Sequence, residues 1–323
     1  MNPMNTRKLT FRPYALCAAA ALLFAACEKD DGEVAGGGAE GRLRVEMTDA
    51  PFDDAGVEGV FVTVAEVRID GEVQPELSQR ATFDLAAYSG GRTFTLGSDQ
   101  AIRAGTMGDI EIVLDLQADA NGQAPGCYVL RSDGTKDGLG FAGASQISIA
   151  ARPAVSVAAE GTTRLVADVD LRKAITRERA GETAATFGSE TRLNAGTRFV
   201  QASATGEVRG EIKRAPNAPA TERLVVYAYA EGTFTASEDD GGAYANAYAS
   251  ATVGADGTFT LAFLPEGDYE LVAVDYADED RDGVREARAR LATDAVLGLN
   301  IRQVSVSAQA QVSLELTIGA LLP

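Results

Sequence analysis

The sequence predicts an all-β chain folded as two tandem β-sandwiches behind a leader and a flexible tether. Three observations carry this reading. Apolar residues recur every second position over short runs, as in Leu43-Arg44-Val45-Glu46-Met47, Ile110-Glu111-Ile112-Val113-Leu114 and Val312-Ser313-Leu314-Glu315-Leu316, the mark of half-buried strands. Turn dipeptides separate such runs, among them Asp70-Gly71 and Asn121-Gly122. Of 323 residues, the 297 from Cys27 onward are a length that favours two domains.

The leader comes first. Residues 1–26 carry Arg7, Lys8 and Arg12, no acidic residue, and an uncharged run from Tyr14 to Ala26. A basic start, a short apolar stretch and small residues before the cut mark a secretory signal; a spanning helix needs about 20 apolar residues. Leu22-Leu23-Phe24-Ala25-Ala26-Cys27 resembles the lipobox of bacterial lipoproteins, with Phe24 where that family more often has Leu. The resemblance implies that the Cys27 thiol receives a diacylglycerol and becomes the mature N-terminus, turning an exported chain into an anchored one. Glu28-Lys29-Asp30-Asp31 resembles the surface-export signal of Bacteroidota lipoproteins, carried by Lys29, Asp30 and Asp31. A short acidic tether is the plainer reading of the same residues. Residues 27–40 include Gly36-Gly37-Gly38 and read as a flexible spacer. The expected location is the outer membrane, lipid-anchored and facing the cell surface.

Composition narrows the chemistry. The chain carries a net charge of −18, and −21 once the three basic leader residues are removed. Such a surface repels phosphate backbones, so nucleic acid is excluded as a partner, and cations are favoured. There is no His and no Trp. Ser-His-Asp triads, Cys-His pairs and His-based metal centres are therefore closed to it, and the expectation is a non-enzymatic protein with no cofactor except calcium. Cys17 leaves with the leader and Cys27 is acylated, which leaves Cys127 without a partner in the chain. Within Cys127-Tyr128-Val129-Leu130 it reads as a small buried hydrophobe.

The first domain is assigned to residues 41–204. Its opening strand, Leu43 through Met47, is read as ending at Thr48-Asp49-Ala50-Pro51, with Asp49 closing an Asx turn. A second strand runs from Val60 to Ile69. Val60, Val62 and Val64 share one parity there, while Val67 and Ile69 take the other, which requires either a bulge near Ala65-Glu66 or burial of both faces. Ile147-Ser148-Ile149 is another strand, Leu171, Ala174 and Ile175 allow a helical turn or two, and residues 177–196 read as a long polar loop. The pattern Gly41-x-Leu43-x-Val45-x-Met47-Thr48-Asp49-Ala50-Pro51 followed by Val60-Phe61-Val62-Thr63-Val64 resembles the opening of the 4382 family of domains of unknown function, found in bacterial and archaeal lipoproteins. Arg103-Ala104-Gly105-Thr106, Cys127-Tyr128-Val129-Leu130 and Leu165-Val166-Ala167-Asp168-Val169-Asp170-Leu171 extend that resemblance over about residues 41–204. It implies no activity.

The second domain is assigned to residues 205–323. Glu207 to Ile212 forms a strand, and Pro216 and Pro219 break the chain after it. Leu224 to Ala230 is apolar on both parities, as a central strand would be. Residues 256–274 give two strands joined at Pro265-Glu266-Gly267, an arrangement that resembles carboxypeptidase-regulatory-like or transthyretin-like modules. In the last strand Val312, Leu314, Leu316 and Ile318 face inward. The length fits one immunoglobulin-like sandwich.

Three candidate sites follow. Asp278, Asp280 and Asp282 ahead of Gly283 match the first half of a calcium loop, with Glu286 or Asp275 as further ligands. Ala289 stands where an EF-hand needs its twelfth ligand, so a hairpin-tip loop is meant and a solvated acidic turn is the alternative. Tyr244 and Tyr248, with Tyr227 and Tyr229, make an aromatic cluster that could contact a glycan or an envelope protein, or cap a sandwich with hydroxyls in water. Asp168 and Asp170 sit on one side of a strand and are expected to face solvent, the alternative being a carboxylate pair for glycoside hydrolysis. The function expected is a structural or binding module of the outer membrane, or else a glycan-binding accessory of a polysaccharide-uptake system.

Overall fold

The structure, a computed structural model, describes residues 39–50, 56–141, 143–153, 155–177, 185–214, 220–238, 244–279, 285–291, 302–318 and 321–322. Cys27, Lys29, Asp30, Asp31, Asp280 and Asp282 lie outside the described residues. The remainder is all-β, with two short helices.

The first sandwich takes its strands in the order β1 (Glu40–Ala50), β2 (Val57–Ile69), β3 (Ala81–Asp84), β4 (Phe94–Arg103), β5 (Ile110–Asp115), β6 (Tyr128–Arg131), β7 (Lys136–Gly138), β8 (Gln146–Ala151), β9 (Thr162–Asp170) and β10 (Thr197–Gln201). One sheet has the order β10-β9-β1-β4, with β1 and β9 parallel. The facing sheet runs β8-β5-β2-β6-β7, with β3 also on β2. Leu43, Val45 and Met47 of β1 and Leu165, Ala167 and Val169 of β9 point into the space between them. There they meet Val60, Val62, Val64 and Val67 of β2 and Ile112 and Leu114 of β5. The parity switch in β2 is a bulge: its register against β5 slips between Val64 and Glu66, so Val64 and Val67 both reach the core. Asp70 and Gly71 both adopt positive φ and turn β2 back on residues Glu72–Val73.

Two expectations for this region are corrected. β1 does not stop at Met47 but continues paired to β9 through Ala50, so Asp49 lies in a strand and not in a turn. The segment read as a loop carries the strand Ala185–Phe187 and a helix α2 (Glu190–Ala195), following α1 (Leu171–Ala174). Ser189 caps α2, its Oγ accepting from the Arg192 amide at 3.0 Å. The helix also protects a sheet edge: Glu190 and Asn194 accept hydrogen bonds from the Ser148 and Ala150 amides of edge strand β8, at 3.2 and 2.9 Å.

The second sandwich comprises β11 (Thr205–Arg214), β12 (Arg223–Ala230), β13 (Ala249–Thr252), β14 (Thr258–Pro265), β15 (Gly267–Ala277), β16 (Glu286–Leu291), β17 (Arg302–Val306) and β18 (Gln311–Ile318). A three-stranded sheet β14-β11-β18 faces a larger one in which β13-β12-β15-β16 are neighbours and β17 also pairs with β15. Leu224, Val226 and Ala228 of β12 join the core between the sheets. The alternate residues Val225, Tyr227 and Tyr229 form a second cluster on the other face, with Tyr244, Val272, Val274 and Tyr276. That double burial is the physical origin of the unbroken apolar run in β12.

Candidate functional site

The outer face of the β10-β9-β1-β4 sheet is where the two sandwiches meet. By strand alternation Glu46 and Thr48 of β1, Val166, Asp168 and Asp170 of β9, and Val200 of β10 point away from the first core. All six are nevertheless buried. The second sandwich covers this face: the Arg198 guanidinium of β10 lies 4.2 Å from the centre of the Tyr248 ring and donates to the Phe263 carbonyl at 2.9 Å. On α1, Lys173 donates to the Ala247 carbonyl at 3.0 Å, and the Arg172 guanidinium sits 4.9 Å from the Tyr227 ring centre.

Charges in this seam are matched almost one to one. Asp168 faces Arg198 directly across the β9–β10 register, and Arg198 Nε donates to its Oδ2 at 2.8 Å. Asp170 accepts from Arg172 Nε and Nη2 at 3.0 and 2.7 Å, with Lys173 Nζ 3.3 Å away. Glu46 binds Arg164 through both oxygens, at 2.9 and 2.7 Å. Burial opposes the charge on Arg172, yet Asp170 and the nearby tyrosines hold its pKa above the ordinary value. Burial likewise pushes the Asp168 carboxyl up, against the pull of Arg198. For Glu46, the hydrogen bonds from Arg164 and Thr93 outweigh desolvation and bring the carboxyl below its ordinary range.

Asp49 stands apart. It is 4 % exposed; Oδ1 accepts from the Leu171 amide at 3.2 Å, and Oδ2 has no hydrogen-bond partner among the described residues. Burial, then the neighbouring Asp170, push its carboxyl well up.

Phe263 shows what the seam demands of the backbone. The β11–β14 register slips between Gly206 and Val208, placing Ala262 and Phe263 in a bulge. Phe263 adopts φ +55° there, a conformation a bulky residue holds only under surrounding constraint. Its carbonyl is the one that Arg198 binds.

The sequence-derived candidates fall differently from expectation. Asp168 and Asp170 are not a solvent-facing pair; they are 7 % and 8 % exposed and clamped by arginines. Tyr244 is no contact platform: it is 2 % exposed and stacks on Tyr227 with ring centres 4.6 Å apart. For Tyr227 the expectation of a hydroxyl in water fails too, since Tyr227 and Tyr276 hydrogen-bond each other at 2.7 Å in the interior. Tyr248 is half-buried and borders a groove of about 230 Å³ with Asn246, Lys173 and Asp170. At the acidic loop, Asp275 is buried and committed to the Glu222 amide and Arg288, which removes it as a calcium ligand. Asp278 is half-buried and Glu286 exposed, and no three acidic or sulfur side chains among the described residues are grouped to hold a metal ion. Cys127 is fully buried, as read, and burial pushes its thiol up to about 12. No helix among the described residues is long and apolar enough to cross a membrane.

The family model of a domain of unknown function, DUF4382, matches residues 40–185. No curated protein matches the chain. Among solved structures, a candidate carbohydrate-binding protein of Pseudomonas aeruginosa is 18 % identical, with a TM-score of 0.23 and coverage of 36 % of this chain and 90 % of its own. The major pilin subunit of Bacillus cereus is 10 % identical, with a TM-score of 0.23 and coverage of 87 % and 70 %. The minor pilin GBS52 of Streptococcus agalactiae is also 10 % identical, with a TM-score of 0.23 and coverage of 87 % and 97 %. At such scores these likenesses transfer neither geometry nor function.

Proposed function

We propose that this chain, which belongs through residues 40–185 to the DUF4382 family, is a non-enzymatic binding or structural module anchored by lipid at Cys27 and displayed on the outer membrane. The lipobox-like Leu23-Phe24-Ala25-Ala26-Cys27 carries this reading, and Lys29, Asp30 and Asp31 behind it support outward display. Two further features agree with a module that binds without catalysis. The chain has no His, and the carboxylate pair best suited to hydrolysis is held in ion pairs with Arg198 and Arg172. For residues 205–323 the carboxypeptidase-regulatory-like reading is retained as part of this proposal. The test is mass spectrometry of the N-terminal peptide from native membranes, together with protease shaving of intact cells. A diacylated Cys27 peptide and surface cleavage are expected; an unmodified thiol or full protection refutes the anchored display.

A second reading is glycan contact at the Tyr248 groove, favoured by the half-buried ring beside Asn246 and Lys173. Arg198 already covers one ring face, so a sugar would meet the other face or the edge. Glycan-array binding lost in Tyr248→Ala supports this; an array blank for the wild type removes it.

A further inference from the structure

Beside the seam, the second sandwich carries a row of three unlike side chains. Its sheet β14-β11-β18 buries Val208, Leu261 and Leu264, with Val312 packed against them, so Glu207 and Gln311 take the outer face by alternation. They are direct neighbours in the β11–β18 register. On the other side of Glu207 lies the bulge, where Ala262 and Phe263 oppose that single residue. Phe263, Glu207 and Gln311 therefore follow one another across three strands, a span of about 10 Å at roughly 4.8 Å per step. All three line a groove of about 390 Å³, with Gln309 beside them and Arg164 from the first sandwich.

Phe263 is the member that packing does not explain. It is half-buried yet belongs to none of the three apolar clusters. Alone among the described phenylalanines it has neither a core cluster nor an aromatic partner. A ring kept outside every core, on a backbone at φ +55°, is free to serve a ligand. Charge then selects the class. Arg164 is bound to Glu46 through Nε and Nη2, and Glu207 to Arg209 at 2.9 Å, so the groove offers no unbalanced charge to a cation or an anion. Its floor strand β11 is paired on both sides, which leaves no backbone edge for an extended peptide. What remains is one apolar ring next to carboxylate and carboxamide groups. That suits a ligand with a C–H face and a rim of hydroxyls. We propose that this groove binds a neutral saccharide, a hexose-sized ring stacking on Phe263 while Glu207 and Gln311 bond its hydroxyls. The groove shares no lining residue with the one at Tyr248, so the two glycan readings stand or fall separately. About 12 heavy atoms in contact give a Kd of about 1–3 mM.

The experiment titrates the full chain with hexasaccharides of glucose, mannose and galactose, and with oligogalacturonate as the anionic counterpart, by calorimetry and saturation-transfer NMR. At least one neutral hexasaccharide is expected to bind at about 3 mM or tighter, and oligogalacturonate more weakly. Phe263→Gly removes the ring while easing the positive φ, and should weaken binding about tenfold or more. Gln311→Ala, at an exposed position, should weaken it about 3–10-fold with an unchanged thermal midpoint; Tyr248→Ala should change it by less than about twofold. Should Phe263→Gly fail to fold, Gln311→Ala decides. No neutral binding up to about 30 mM, a preference for oligogalacturonate, or binding that survives both groove variants overturns the site. Binding lost only in Tyr248→Ala places the sugar in the other groove and overturns this one.

Discussion

Arg172 offers the sharpest test of the seam. Its guanidinium is bound to Asp170 through two hydrogen bonds, at 3.0 and 2.7 Å, and lies against the Tyr227 ring. Side-chain exposures are 16 % for Arg172 and 11 % for Asp170. Arg172→Met keeps the stem packing but strands Asp170, and breaking a buried pair from one side costs about 3–5 kcal/mol. Lys173, 3.3 Å from Asp170, remains as a weaker cation. The expected loss is therefore about 3 kcal/mol, with roughly 1 of it from the cation–π contact. Asp170→Asn in the same chain removes the stranded charge, so the double variant should recover all but about 1 kcal/mol. Urea unfolding followed by tyrosine fluorescence reads all four corners of the cycle, because Tyr227 and Tyr276 sit on this interface. A single variant within 1 kcal/mol of wild type, or losses that simply add in the double variant, would refute the seam as an interlocking charged joint.

Other outcomes follow from local geometry. Glu46 is held below its ordinary value of 4.5, so its contribution is fully present above that pH and is lost as pH falls through the depressed folded value. Glu46→Gln should lower stability by about 1 kcal/mol at pH 7, discounted for the half-exposed Arg164, and by progressively less below pH 4.5 in acid titrations of the melt. Cys127, buried and with its thiol pushed to about 12, should react with a maleimide at pH 8 about 100-fold faster or more in urea than in native buffer, and labelling should track unfolding. Gly97 has φ +55°, and a Cβ there would lie 2.0 Å from the Glu76 carbonyl oxygen, whereas Gly122 at φ +79° has nothing within 4 Å. Gly97→Ala should cost about 2–4 kcal/mol and Gly122→Ala about 1, measured by urea denaturation.

How much was legible depended on whether the signal lay within a single strand. The β2 parity switch required one of two physical answers, and the Val64–Glu66 register slip supplies it. The two-sided apolar run in β12 similarly demanded cover on both faces, which the two clusters around it provide. Outward-facing charges carry no such demand. Asp168, read along β9 alone, alternates with core residues just as a solvated position would; only its cross-strand partner Arg198 and the sandwich beyond it make it interior. Asp49 departs from its local sequence signal for a related reason. Asp-Ala-Pro reads as a turn when nothing local argues otherwise, but β9 pairs with β1 through Ala50 and extends the strand past its apparent end. The Ser189 cap was the missed local signal: Ser followed by Glu190 could have marked α2 inside a stretch read as loop.

The seam also explains why its polar residues do not loosen the molecule. A face built from Arg–carboxylate pairs gains little net stability over an apolar one, but it specifies a single docking, because each guanidinium must meet its own acceptor in a fixed geometry. Arg198 makes the point: one side chain binds Asp168 in the first sandwich and the Phe263 carbonyl in the second, which lies within reach only because β14 bulges there at a strained φ. Sliding the second sandwich by one residue along β14 would move that carbonyl by a strand rise of about 3.3 Å and leave a buried guanidinium donor unpaired, at a cost of several kcal/mol. A joint of that kind holds the two sandwiches in one orientation.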